Sequence, residues 1–177
     1  AGDFWGMFDT RPYMRALFGV AESQMDLGRH EEARASYAEM LRLNPGDDQG
    51  ARYPLARCLL GLRRVEELDR LLESCDEVSA HWLYLGALAA FVNEGDSPAA
   101  RDRLAEAHVA NPMVRQFLLG ELPLPDDSPA SFNICGPEEA IMVALETLDL
   151  WTETPGALDW LERYTSPPAA AQQRKPR

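Results

Sequence analysis

The sequence predicts an all-α fold, in which helix-turn-helix pairs stack side by side and further helices close the C-terminal end. Three observations carry this reading. Apolar residues recur at intervals of three and four through successive segments, the spacing of one helix face. Glycine and proline fall between those segments, where helices stop. The pattern returns three times between residues 14 and 112 of a 177-residue chain, a length suited to one domain or one short repeat array.

Residues 14–45 hold the first pair. Leu17, Val20 and Ala21 share a face of its first helix, and Ala33, Tyr37, Met40 and Leu41 a face of its second. Gly28 stops the first helix and Pro45 the second, while Glu31 and Glu32 place negative charge at the second helix's start, where the macrodipole favours it. Residues 49–80 repeat the arrangement with Leu55, Ala56, Leu59, Leu68, Leu72 and Cys75 around a GLRRVEE turn, without the closing proline. Residues 81–112 repeat it with Ala87, Leu88, Phe91, Ala100, Leu104 and Ala107. There Gly95 ends the first helix, Asp96 or Ser97 caps the second, Pro98 sits in its first turn, and Pro112 closes it.

Residues 113–120 continue as a short helix, so the array spans 14–120. The segment 121–165 follows as a loop and capping helices. Pro123, Pro125 and Pro129 make 121–136 an ordered connection without regular structure. A helix over 137–152 starts at Pro137 and Glu138-Glu139 and carries Ile141, Ala144, Leu145, Leu148 and Trp151. Pro155-Gly156 opens a last short helix with Leu158, Trp160, Leu161 and Tyr164. These helices are placed to bury the C-terminal face of the third pair. Residues 166–177 contain no apolar side chain larger than Ala and read as a disordered basic tail. Residues 1–13 are an apolar lead-in. Its Phe4, Trp5, Met7 and Phe8 either wrap onto the first helix or form the joint to repeats upstream. The chain opens on Ala1 rather than Met, as a processed chain or a piece of a longer one does.

The stretch MRALFGVAESQMDLGRHEEARASYAEMLRLNP resembles a tetratricopeptide repeat (TPR), a helix-turn-helix unit of about 34 residues. Small Ala21 and Ala33 fall where the family brings its two helices close, while Gln24 and Met40 depart from the usual aromatic and Ala. The stretches FWGMFDTRPYMRALFGVAE, YAEMLRLNPGDDQGARYPLA, ANPMVRQFLLGELPLP and TPGALDWL resemble a subgroup of bacterial TPR proteins, mostly uncharacterised, described as similar to suppressor-of-tumorigenicity proteins. SFNICG stands where that subgroup carries an aromatic and glycine-rich stretch. The resemblance implies a right-handed TPR solenoid of about three repeats with a helical cap and no catalytic motif. It also implies a concave groove lined by the first helix of each pair. By count along the repeat the groove takes Arg15, Phe18 and Glu22 from the first pair, Tyr53, Arg57 and Leu60 from the second, and Trp82, Leu85 and Asn93 from the third. Aromatic and Arg side chains of this kind dominate binding hot spots. The carboxylate clamp of chaperone-binding TPRs is not expected, because Phe18 and Glu22 occupy its positions and Glu22 would repel a carboxylate.

Charge narrows the partners. The formal net charge is −12, and residues 121–165 carry ten acids against one base, Arg163. An acidic body repels phosphate, so neither nucleic acid nor an anionic membrane is an expected partner. No apolar run reaches the roughly 20 residues of a membrane helix. Sixteen of the 17 basic residues are Arg, Lys175 being the exception. Cys58, Cys75 and Cys135 are widely spaced and odd in number, which suits free thiols in a reducing cytoplasm.

No phosphate loop, nucleophile elbow or metal-spaced Cys/His cluster is present, so no cofactor is expected. His30, His81 and His108 stand apart from one another, and Asp126-Asp127-Ser128 is too small a donor set for calcium or magnesium. The expected function is therefore non-enzymatic: a module that binds a peptide or helix of a protein partner in its groove. Two alternatives stand beside it. One is a structural segment of a larger assembly with the groove filled from within. The other is the accessory part of an enzyme whose catalytic domain lies upstream.

Overall fold

Each helix starts and stops where the sequence changes the backbone's options. The computed structural model describes residues 3–75, 77–129 and 133–164. Among them are nine α-helices, one 3-10 turn at Phe8–Thr10 and no strand. They fall into two compact units, Ala1–Cys75 and Asp76–Arg177. The basic tail over 166–177 lies outside the described residues.

The first unit is four helices in sequence: α1 (Arg11–Asp26), α2 (His30–Leu43), α3 (Arg52–Gly61) and α4 (Val65–Glu73). Each packs on the next, α1 on α2, α2 on α3 and α3 on α4. The α1–α2 and α3–α4 turns share one conformation. Gly28 and Arg63 both take left-handed backbone, at φ 69° and 57°. The N–H of the following residue reaches back across the turn in both, Arg29 to the Gln24 carbonyl and Arg64 to the Leu59 carbonyl, each at 2.8 Å. Ala21 and Ala33 are fully buried between α1 and α2, which lets the helices approach closely, and Tyr37 and Met40 are buried beside them. Val20, expected on the buried face, is instead 49% exposed. The side of α1 that carries it has no other helix of this unit against it.

Loop chemistry fixes where α3 begins. Asn44, before Pro45, leaves helical backbone at φ −136° and ψ 80°, ending α2. The Asp47 carboxylate then accepts from the N–H groups of Ala51 (2.7 Å) and Arg52 (3.1 Å) and pairs with the Arg52 guanidinium at 2.7 Å. The lead-in wraps onto α1 and the end of α2. Phe4 N–H donates to the Leu43 carbonyl at 3.2 Å, Arg11 Nε donates to the Trp5 carbonyl at 2.7 Å, and the Thr10 hydroxyl bonds the Phe4 carbonyl.

The second unit holds α5 (Ala80–Glu94), α6 (Pro98–Ala110), α7 (Met113–Leu118), α8 (Pro137–Glu153) and α9 (Ala157–Arg163). Ser79 caps α5. Ser97, rather than Asp96, caps α6 by accepting from Ala100 N–H at 3.0 Å. α5 and α6 form a hairpin, α8 packs on both α5 and α7, and α9 folds back on α8. An aromatic ladder ties these layers together: Tyr84 on Trp151, Trp151 on Trp160, and Trp160 stacked on Phe91 at 4.6 Å. At the α6–α7 corner the buried Asn111 uses all its polar atoms. Its amide donates to Gly136 O and Glu139 Oε2, its side-chain oxygen accepts from Met113 N–H, and its carbonyl accepts from Tyr84 OH.

Candidate functional site

Corresponding positions of α1 and α3 carry matched side chains: Phe18 corresponds to Tyr53 and Glu22 to Arg57. Cys58 on α3 meets Met25 on α1, sulfur to sulfur at 3.0 Å, so the two helices come together beside these residues. Behind them stands Tyr37 of α2. Phe18 meets its ring edge-on at 5.9 Å, and its hydroxyl donates to the Glu22 carboxylate. Burial, and after it the Glu22 hydrogen bond, push the Tyr37 phenol well above its ordinary range, so it remains a donor. Burial also pushes the Cys58 thiol up to about 11, which makes it a packing group rather than a nucleophile. The rim of this face holds part-exposed Phe18, Tyr53 and Arg57 and exposed Glu22. Arg15 is exposed at one end, its guanidinium 5.7 Å from the centre of the Trp5 ring.

Leu60, Trp82 and Leu85 do not belong to an exposed face. Leu60 is buried with Leu55, Ala56, Cys58 and Leu59, because α3 is apolar nearly all round over its last two turns. Trp82 and Leu85 are 3% and 0% exposed. Their helix, α5, is apolar on every side and buried through Tyr84–Ala90, with α6 and α8 both packed on it. Asn93, near the end of α5, is exposed. Of the nine residues expected to line a groove, the structure thus gathers Arg15, Phe18, Glu22, Tyr53 and Arg57 on one unit.

Sequence spacing did not reveal a polar cluster between α6 and α9. A cavity of about 450 Å³ opens there, lined by Arg101, Asp102, Arg163 and Tyr164 beside Asp96 and Trp160. Asp96 accepts from Arg101 at 2.6 and 2.9 Å and from the Trp160 indole N–H at 2.8 Å. Chiefly through Arg101, its carboxyl is held down at about 2. A carboxylate so fixed cannot shuttle protons near neutral pH. The only sequence signal for this cluster was the Asp96-Ser97-Pro98 turn. Nothing local joins Asp96 to Trp160.

His30 begins α2 and is exposed, and His81 lies 3.0 Å from Glu146. His108 is half-buried against the Tyr164 ring, and burial lowers its pKa below the ordinary value. Cys135 is exposed and Cys75 part-exposed, and all three cysteines are free. Asp126, Asp127 and Ser128 stand in the solvent. Among the described residues no cluster of His, Cys, Asp or Glu is arranged to hold a metal ion, and no helix is long and apolar enough to cross a membrane. No family model matches this chain, and neither a curated protein nor a solved structure is significantly similar to it.

Proposed function

We propose that the chain is a non-enzymatic protein-interaction module of the TPR kind, which binds a peptide or helix of a partner across the α1–α3 face. The observation that carries this reading is the matched pair of positions on α1 and α3: two aromatics, Phe18 and Tyr53, and two opposite charges, Glu22 and Arg57. The repeated turn at Gly28 and Arg63 supports a repeat architecture. The ligand that fits has apolar side chains for Phe18 and Tyr53 and charges that answer both Glu22 and Arg57. Its binding would be rigid presentation of these side chains on a packed helix pair. Three free cysteines suit a cytoplasmic setting.

The test is comparative affinity capture from an extract, wild type against a Tyr53→Ala, Arg57→Glu variant with unchanged helix content. A partner held by the wild type and lost in the variant is expected. Retention of every partner by the variant would refute the reading.

The buried Trp82 and Leu85 favour a second reading for the other unit, a structural segment filled from within. On that reading α8 serves as the permanent cover of α5, and its partners contact other faces.

A further inference from the structure

The two turns of the first unit set up a residue correspondence between α1–α2 and α3–α4. Gly28 matches Arg63, Arg29 matches Arg64, Glu32 matches Glu67, Val20 matches Leu55 and Ala16 matches Ala51. Helix α2 serves Arg64, Glu67, Leu55 and Ala51 among these second members. Arg64 binds Glu31 of α2 at 2.6 Å, and Arg34 of α2 binds Glu67 at 3.2 Å. On α3, which α2 covers, Leu55 is 6% exposed and Ala51 is buried.

The first member of each pair lacks that service. Val20 is 49% and Leu27 70% exposed, and Ala16 is exposed too. A Cβ added at Gly19 would meet nothing within 4 Å. Arg29 and Glu32, the counterparts of the residues that hold α2, pair with each other, Nε to Oε1 at 2.7 Å, as Arg64 and Glu67 also do at 3.2 Å, but among the described residues no second helix adds to their pair. Helical periodicity places Val20 and Leu27 on the opposite side of α1 from Phe18 and Glu22.

We infer that this side of α1 docks a helix of a partner protein with the chemistry of α2: an apolar stripe bordered by Glu-x-x-Arg. The acid meets Arg29 and the arginine, one turn on, meets Glu32, as Glu31 and Arg34 meet Arg64 and Glu67. A second copy of the chain does not supply this complement from its paired helices. Its α2 already spends Glu31 and Arg34 within its own fold, and α4 offers Glu66 and Asp69 at the matching places, so Asp69 would repel Glu32. The site does not depend on the α1–α3 face.

The probe is a fluorescein-labelled peptide with the sequence of residues 28–45, titrated into the full chain and followed by anisotropy. Saturable binding is expected. Val20→Glu and the milder Val20→Ser, both with unchanged circular dichroism, weaken it, the former by about tenfold or more because a charge lands in an apolar contact. Arg29→Glu with Glu32→Arg weakens it about two- to fivefold. A peptide carrying Glu31→Arg and Arg34→Glu restores binding to that variant. Tyr53→Ala with Arg57→Glu leaves peptide binding unchanged, which separates this site from the face proposed above. Three results overturn the inference: no saturable binding; equal binding by Val20→Glu, as exchange with the chain's own α2 would give; or self-association lost in Val20→Glu without peptide binding, which assigns the face to a second copy.

Discussion

Arg63 takes left-handed backbone at φ 57° in the turn where the corresponding residue is Gly28 at φ 69°. A side chain in that region costs about 1–2 kcal/mol, and glycine gives back about 0.5–1 kcal/mol through its freedom in the unfolded chain. Arg63→Gly is therefore expected to stabilise the first unit by about 0.5–1 kcal/mol. Gly28→Val, with open space around the new Cβ, is expected to destabilise it by about 1–2 kcal/mol through backbone strain alone. Urea unfolding midpoints check both signs, and a destabilised Arg63→Gly would break the equivalence of the turns. In the second unit His108 titrates against the fold. Burial, aided by repulsion from Arg115, disfavours its charged form, and its Nδ1 has no hydrogen-bond partner among the described residues. The unfolded chain therefore takes the proton first. Stability present above about pH 6.5 is lost as pH falls through the lower folded value. Wild type should lose more stability between pH 7 and pH 5 than His108→Gln does, measured by chemical denaturation at both pH values. Equal losses would show that the folded imidazole takes up the proton as readily as the unfolded one.

Helix ends were legible where a residue type has one conformational use. Gly28, Pro45, Ser97-Pro98 and Gly156 each mark the boundary that the structure shows. The Arg63 turn could be placed only by analogy, because arginine carries no left-handed signal of its own. The faces of α5 were not legible. Its residues are apolar all round, so spacing cannot say which side α8 covers, and the count along the repeat put Trp82 and Leu85 in solvent. Glu139 shows the same limit. In the sequence it is one of two acids at a helix start. In the fold it is 3% exposed and accepts from Ala80 N–H at 3.3 Å, Asn111 Nδ2 at 3.0 Å and Cys135 N–H at 2.8 Å. It thus joins the start of α5, the α6–α7 corner and the loop before α8. Glu139→Ala strands three donors, two of them on buried groups, and is expected to destabilise the second unit by about 2–4 kcal/mol. Glu139→Gln keeps the shape and one acceptor and should lose less. Thermal and urea unfolding read the order, and an Ala variant as stable as wild type would remove Glu139 from its place as the clamp of α5 to α8.

At the scale of the whole chain, charge and its pairing decide which partners are repelled. The net charge of −12 alone leaves room for a basic patch, since 16 arginines could gather on one surface. The ion pairs argue otherwise. Arg29, Arg34, Arg42, Arg52, Arg64 and Arg101 each sit against a carboxylate of their own unit. A polyphosphate would have to displace those carboxylates while approaching an acidic body. Each such exchange replaces one ion pair by another, so the counterion release that drives phosphate binding has little left to act through. The chain is therefore expected to show no retention on single-stranded RNA or duplex DNA at about 50 mM salt, conditions that exaggerate surface electrostatics. Electrophoretic mobility shift with random-sequence RNA checks this. Retention that falls steeply as salt rises would mean that basic side chains do act together. Absence of retention at low salt, beside peptide binding on α1 that falls only severalfold as salt rises, would place recognition in apolar contact and local pairing rather than in the field of the molecule.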